Sequence, residues 1–107
     1  MTEDLERALA AATRRNAELD AFVTIDTDGA RAAAPPEGPL AGAPVAVKDV
    51  IDTAGLRTTM GSRHFADHIP DHDAAAVRAV RDAGGIVIGK TTTHEYAYGP
   101  TGDRSAN

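Results

Sequence analysis

Gly38-Pro-Leu-Ala-Gly-Ala-Pro-Val-Ala-Val-Lys-Asp49 is a glycine- and proline-punctuated approach to a short apolar run, residues 45–47, that ends on one lysine and one aspartate. A run this short, bounded by turn residues, predicts a buried strand that delivers its last side chain to a sheet edge or cleft. Two readings of Lys48 follow. Among apolar neighbours its amine loses solvation, which disfavours the charged form and makes it a candidate base. At a solvated rim it is a surface lysine that closes a strand. Asp49 belongs to the opposite face of such a strand, where it can anchor the strand or the following turn.

Downstream, Ile51-Asp-Thr-Ala-Gly55 reads as a turn and Thr58-Thr-Met-Gly-Ser62 as a small, polar loop. From Asp73 the pattern sharpens. Asp73 is a suitable helix N-cap, Ala76, Val77, Val80 and Ala83 make one helical face, and Gly84 is a natural stop. Ile86-Val-Ile88 is β-branched and wholly apolar, as in a strand covered on both faces. Strand, helix and strand in this order predict an α/β crossover with residues 45–47 and 86–88 parallel. The segment after Gly89 leaves the strand for a short helix or turn near Glu95, and Tyr98–Asp103 reads as loop.

Upstream, Thr2 can cap a helix whose first turn carries Glu3 and Asp4, favourable against the helix dipole. Leu5, Ala8, Leu9 and Ala12 form a narrow apolar stripe, with Arg14 and Arg15 expected near the end. So narrow a stripe predicts a weakly packed, peripheral helix. Phe22-Val-Thr-Ile25 follows as a short strand closed by Asp26–Gly29. Ala30–Ala34 reads as a helical turn stopped by Pro35 and Pro36.

A chain of 107 residues allows one domain at most. Much of its apolar content is alanine and its aromatic residues are Phe22, Phe65, Tyr96 and Tyr98, so the expected core is marginal. A net charge of −5 argues against a nucleic-acid or anionic-membrane surface. The absence of cysteine removes disulfides, a thiolate nucleophile and Cys-based metal sites. The acidic N-terminus lacks an apolar signal core and no run reaches membrane-spanning length, so a cytoplasmic location is expected.

Three further patterns carry chemistry in other proteins. Gly84-Gly-Ile-Val-Ile-Gly-Lys-Thr91 fits the phosphate-loop spelling literally, but its intervening residues are a strand whose N–H groups belong to a sheet, and a helix precedes the first glycine. His64, His68 and His72 fall four apart with Asp67, Asp71 and Asp73 nearby. Pro70 interrupts the helix that would stack those imidazoles, so a solvated acidic loop is expected in place of a metal site. His94-Glu95 begins like a zincin helix, but Tyr98 stands where the second histidine belongs.

Taken together, Gly42–Asp49, Thr58–Ser62, Asp73-Ala74, Ala83–Thr91 and the run His94-Glu-Tyr-Ala-Tyr-Gly-Pro-Thr-Gly-Asp-Arg-Ser-Ala106 resemble the amidase signature family, in family order and at family-like separations. The resemblance covers the chain from about Gly38 onward. It implies a mixed β-sheet flanked by helices and an amide hydrolase built on a serine nucleophile, a second serine on a cis peptide bond, and a lysine. Lys48 matches that lysine and is the implied base, acting on the nucleophile through the bridging serine. No cofactor or metal is implied.

One departure matters. In the family both serines and the oxyanion hole belong to a Gly-Gly-Ser-Ser-Gly-Gly-Ser stretch shortly past the Ser-Ala pair, and this sequence has no such stretch. Neither Ser62 nor Ser105 has that context. The expectation is therefore an N-terminal part of an amidase domain over residues 1–107, an incomplete domain that carries the lysine and is inactive alone. Its expected partners are a small-molecule amide substrate and the C-terminal part of the amidase domain. The isolated chain is expected to show exposed apolar surface and weak cooperativity on heating.

The family includes the A subunit of tRNA-dependent amidotransferase, which usually carries an Asp-Glu-Phe-Ala-Met-Gly type segment. His94-Glu-Tyr-Ala-Tyr-Gly99 leans instead toward a general amidase. A non-catalytic interaction module is the alternative from another class, with residues 86–88 expected at a sheet edge open to another chain.

Overall fold

The computed structural model describes residues 2–33 and 37–98. Along the chain run α1 (Thr2–Leu19), β1 (Phe22–Ile25), α2 (Thr27–Arg31), β2 (Pro44–Lys48), α3 (Ala75–Asp82) and β3 (Ile86–Thr91). Short 3₁₀ turns lie at Arg63–Phe65 and Glu95–Ala97. The strands form one mixed sheet in the order β1-β3-β2. β3 pairs parallel with β2, as the crossover reading requires, and antiparallel with β1.

Residues 86–88 are therefore central and not at an edge. Phe22–Ile25 occupies the side of β3 that the crossover reading left open, so among the described residues the outer strands are β1 and β2. The covering of β3 on both faces is as expected. Ile86 and Ile88 pack with Leu5, Leu9 and Ala30 from the two N-terminal helices, while Val87 packs with Val47 and Val77 on the other face.

α1 is a core element, contrary to the peripheral role expected of it. Leu5 and Leu9, one turn apart, are both buried, and full burial of a leucine contributes about 1.5–3 kcal/mol. Ala12, one turn further along, packs against the same cluster. The helix continues to Leu19, past Arg14 and Arg15, and no basic residue lies in its last turn. Asn16 then ties it to β1: its amide donates to the Phe22 carbonyl at 3.1 Å and accepts from the Phe22 N–H at 2.8 Å.

At two other boundaries an aspartate does something other than what was expected of it. Asp26 accepts from the Gly29 N–H and caps α2, so Asp26–Gly29, which ends β1 as expected, also opens a helix. Ala34–Pro36, the end of the expected turn, lie outside the described residues. Ala74, not Asp73, holds the N-cap of α3. The Asp73 carboxylate instead accepts from the Ala54 N–H at 2.8 Å and pairs with Arg81 at 3.1 Å. Gly84 ends α3 at φ +94°, as expected of a left-handed stop.

β1 reaches β3 through Gly89. A Cβ there would sit 2.2 Å from the Thr24 carbonyl oxygen, a backbone atom that cannot swing aside. By contrast Gly55, at φ +78°, has nothing within 4 Å of that position. Gly89→Ala is expected to destabilise the chain by about 1–3 kcal/mol and to strip hydrogen-exchange protection from β1. Gly55→Ala costs only its backbone strain, roughly 1 kcal/mol, and leaves β1 protected. Equal protection of β1 in both variants would contradict this packing.

Candidate active site

The sequence holds two lysines, Lys48 and Lys90, and the sheet sends them to opposite environments. Pro44, Ala46 and Lys48 are exposed on one face of β2, while Val47 is buried on the other. Lys48 closes the strand with its side chain in solvent. Of the two readings of its position, the solvated rim is the one observed in this chain, and desolvation falls on Lys90.

A slip of register turns Lys90 inward. Val45 lies opposite Val87 but Ala46 lies opposite Gly89, so one extra residue of β3 is passed over. Such a bulge inverts the alternation of side chains beyond it. Lys90 consequently lies opposite Val47, on the face of Val87 and Asp49.

There its ammonium is fully enclosed. It donates to the Ile51 carbonyl at 2.8 Å and to Thr58 Oγ1 at 2.7 Å, and lies 3.7 Å from Asp49 Oδ1. Burial holds Lys90 below the ordinary lysine value, and the Asp49 carboxylate pulls it part of the way back. Asp49 is equally enclosed, its Oδ2 accepting from the Thr59 N–H at 3.2 Å and from the Thr59 hydroxyl. Removing one partner of such a buried pair costs about 3–5 kcal/mol, because the other charge is left uncompensated.

The pair holds down the whole segment after β2. The Thr58–Ser62 loop is a loop as expected, yet Thr58, Thr59 and Ser62 are buried. Its far end is joined to the segment after β3: the Tyr96 N–H donates to the Met60 carbonyl at 2.7 Å and the Tyr96 hydroxyl to Ser62 Oγ at 3.1 Å. Met60, Tyr96 and Ala97 all have left-handed φ, between 52° and 61°, a strain that persists only where surroundings enforce it. A cleft of about 360 Å³ opens beside this junction, lined by His94, Glu95, Tyr96 and Tyr98.

The remaining candidates lie elsewhere. Ser62 accepts from the His64 N–H and caps the 3₁₀ turn. His68 faces Asp52 at 3.7 Å, and among the described residues no three His, Asp or Glu side chains converge as a metal site. Ser105 and most of the loop Tyr98–Asp103 lie outside the described residues. Among those residues no helix is long and apolar enough to cross a membrane.

Residues 3–107 match the profile of the family described as Amidase. The chain belongs to the amidase family. This member is 47% identical over 98 residues to the A subunit of the glutamyl-tRNA(Gln) amidotransferase of Salinispora tropica, an alignment covering 82% of the chain and 20% of that relative. Its fold superposes on 6-aminohexanoate cyclic dimer hydrolase with a TM-score of 0.83 at 32% identity, over 89% of this chain and 20% of that one. For the peptide amidase of Stenotrophomonas maltophilia the TM-score is 0.70 at 33% identity, over 88% of this chain and 22% of that one. The amidase chain thus spans about a fifth of the length of the curated relatives it matches, and it carries a portion of the mixed α/β amidase fold.

The contrast between the two lysines is measurable. An amine-directed N-hydroxysuccinimide ester is expected to acylate Lys48 in the folded chain, with Lys90 modified only after denaturation. Modification of Lys90 at the rate of Lys48 would contradict its enclosure.

Proposed function

We propose that this chain supplies the general base of an amide hydrolase, with Lys48 as that base, and that residues 1–107 act as one part of an amidase domain. The observation carrying the proposal is the placement of Lys48 at the end of β2, its backbone fixed by a buried network, in a member of the amidase family. Similarity to a cyclic dimer hydrolase and a peptide amidase supports hydrolysis of carbon–nitrogen bonds.

In this reading the two serines come from outside the present sequence. The neutral Lys48 amine takes the proton of the bridging serine, which takes that of the nucleophile. The nucleophilic oxygen bonds to the amide carbon, and collapse of the tetrahedral adduct expels the amine, which carries a proton returned along the same relay. Water then releases the acid. An amine serves as base only when uncharged, so the solvated Lys48 must lose solvent on docking of the segment that brings the serines. Pro44 and Ala46 beside it give that segment an exposed apolar surface to cover. The chain alone, without nucleophile or oxyanion hole, is expected to leave amides intact.

The 47% identity to the A subunit of an amidotransferase favours a second reading, in which the completed protein is such a subunit working within a complex. The base assignment is the same in both.

The test joins this chain to the serine-bearing remainder of the Salinispora tropica relative and follows ammonia release from glutamine and simple carboxamides. Lys48→Ala is expected to lower kcat by about 10²–10⁴-fold in a chimera that stays folded. An unchanged rate, or a folded parent chimera that releases no ammonia, would overturn the assignment.

A further inference from the structure

We propose that Asp49, Thr59 and Lys90 are positioning residues for Lys48, holding the end of β2 so that the root of its side chain leaves the strand at one fixed place and angle. The proposal rests on reading Lys48 as the base and extends it to residues that never touch substrate.

The backbone around Lys48 is tied at successive peptide groups. The Lys48 carbonyl accepts from the Ile51 N–H at 3.0 Å, and the next N–H, that of Asp49, donates to the Thr91 carbonyl at 3.0 Å. The Asp49 carbonyl in turn accepts from the Met60 N–H at 2.9 Å. Among the described residues β2 pairs with β3 alone, so no ladder there holds its other side. What fixes its end is the turn and loop folded back against it, and these are held by buried side chains.

Lys90 is the clamp on the turn. By donating to the Ile51 carbonyl it fixes the residue whose own N–H grips the Lys48 carbonyl. Asp49 is the clamp on the loop. Through Oδ2 it binds both the N–H and the hydroxyl of Thr59, next to Met60, whose N–H holds the Asp49 carbonyl. Lys90 spans the two by also donating to Thr58.

The two faces of the strand divide the work. Asp49 points into the protein because Lys48 points out of it. Neither charge of the buried pair can leave without exposing the other to an apolar interior, so the network opens only as a unit. A strand end held this way loses little further freedom when a reacting partner arrives, which is what a base needs. A loosely held Lys48 would spend part of each encounter misdirected.

The experiment uses the same chimera with Thr59→Val, Thr59→Ser and Lys90→Met, each alone and each combined with Lys48→Ala. Thr59→Val keeps the shape but removes the hydroxyl, and is expected to lower kcat roughly 10- to 100-fold with KM changed less than about twofold. Thr59→Ser restores the hydroxyl and is expected to recover kcat to within about threefold of the parent. Lys90→Met should show the same split as Thr59→Val. Should Lys90→Met fail to fold, the two Thr59 variants still decide.

Because these residues act through Lys48, none should reduce the residual rate further once Lys48 is alanine. Thr59→Val at the parental kcat, equal losses for Val and Ser, or a full additional loss in the Lys48→Ala background would each overturn the positioning role while leaving Lys48 as the base. An unchanged rate in Lys48→Ala alone would instead overturn the base assignment, and the positioning role with it.

Discussion

The ammonium of Lys90 sits in the interior of a small protein, and much of the architecture follows from the cost of keeping it there. A buried cation is tolerated only with a carboxylate and hydrogen-bond acceptors close by. Asp49 brings the first, and the Ile51 carbonyl and Thr58 hydroxyl bring the second. These groups lie 32 to 41 positions before Lys90, a separation given by the residue numbers themselves. Satisfying one side chain of β3 therefore obliges the whole segment after β2 to fold back. The buried threonines, the strained Met60 and the junction with Tyr96 belong to that same closure.

This arrangement separates the buried structural lysine from the one proposed as base. Lys90 is enclosed, with two hydrogen bonds and a carboxylate 3.7 Å away, so its amine has no access to a substrate. Lys48 ends the neighbouring strand and points to the other face, in solvent. An amine that will act as base need not be buried in the portion of the fold that carries it. What that portion must provide is direction. In the proposed mechanism the groups that remove water from Lys48 arrive with the segment that brings the serines.

Much of the fold was legible in the sequence because its signals are local. Short apolar runs bounded by turn residues marked all three strands, and Gly84 marked the end of α3. The sheet order was not legible: Phe22–Ile25 carries no sign of its partner, and only the structure places it beside β3. Nor was the depth of α1, whose narrow stripe concealed that its two leucines reach the core. That Lys90 and not Lys48 is the buried lysine was hidden for a sharper reason. Strict alternation groups Lys90 with Ile86 and Ile88, and it is the one-residue slip between Val45 and Ala46 that sends it to the Asp49 side. A lysine one glycine past an apolar run predicted to be covered on both faces was the available signal. It could have been read as a buried ion pair in search of its carboxylate.

The central claim is that Lys48 activates a serine contributed from outside this sequence. The most direct measurement is the rate at which a fluorophosphonate probe forms a covalent adduct, read by intact mass, on the chain joined to its serine-bearing remainder. One adduct per chain is expected, on a serine of that remainder, formed much more slowly when Lys48 is alanine. An adduct forming at the same rate without the Lys48 amine would contradict the claim.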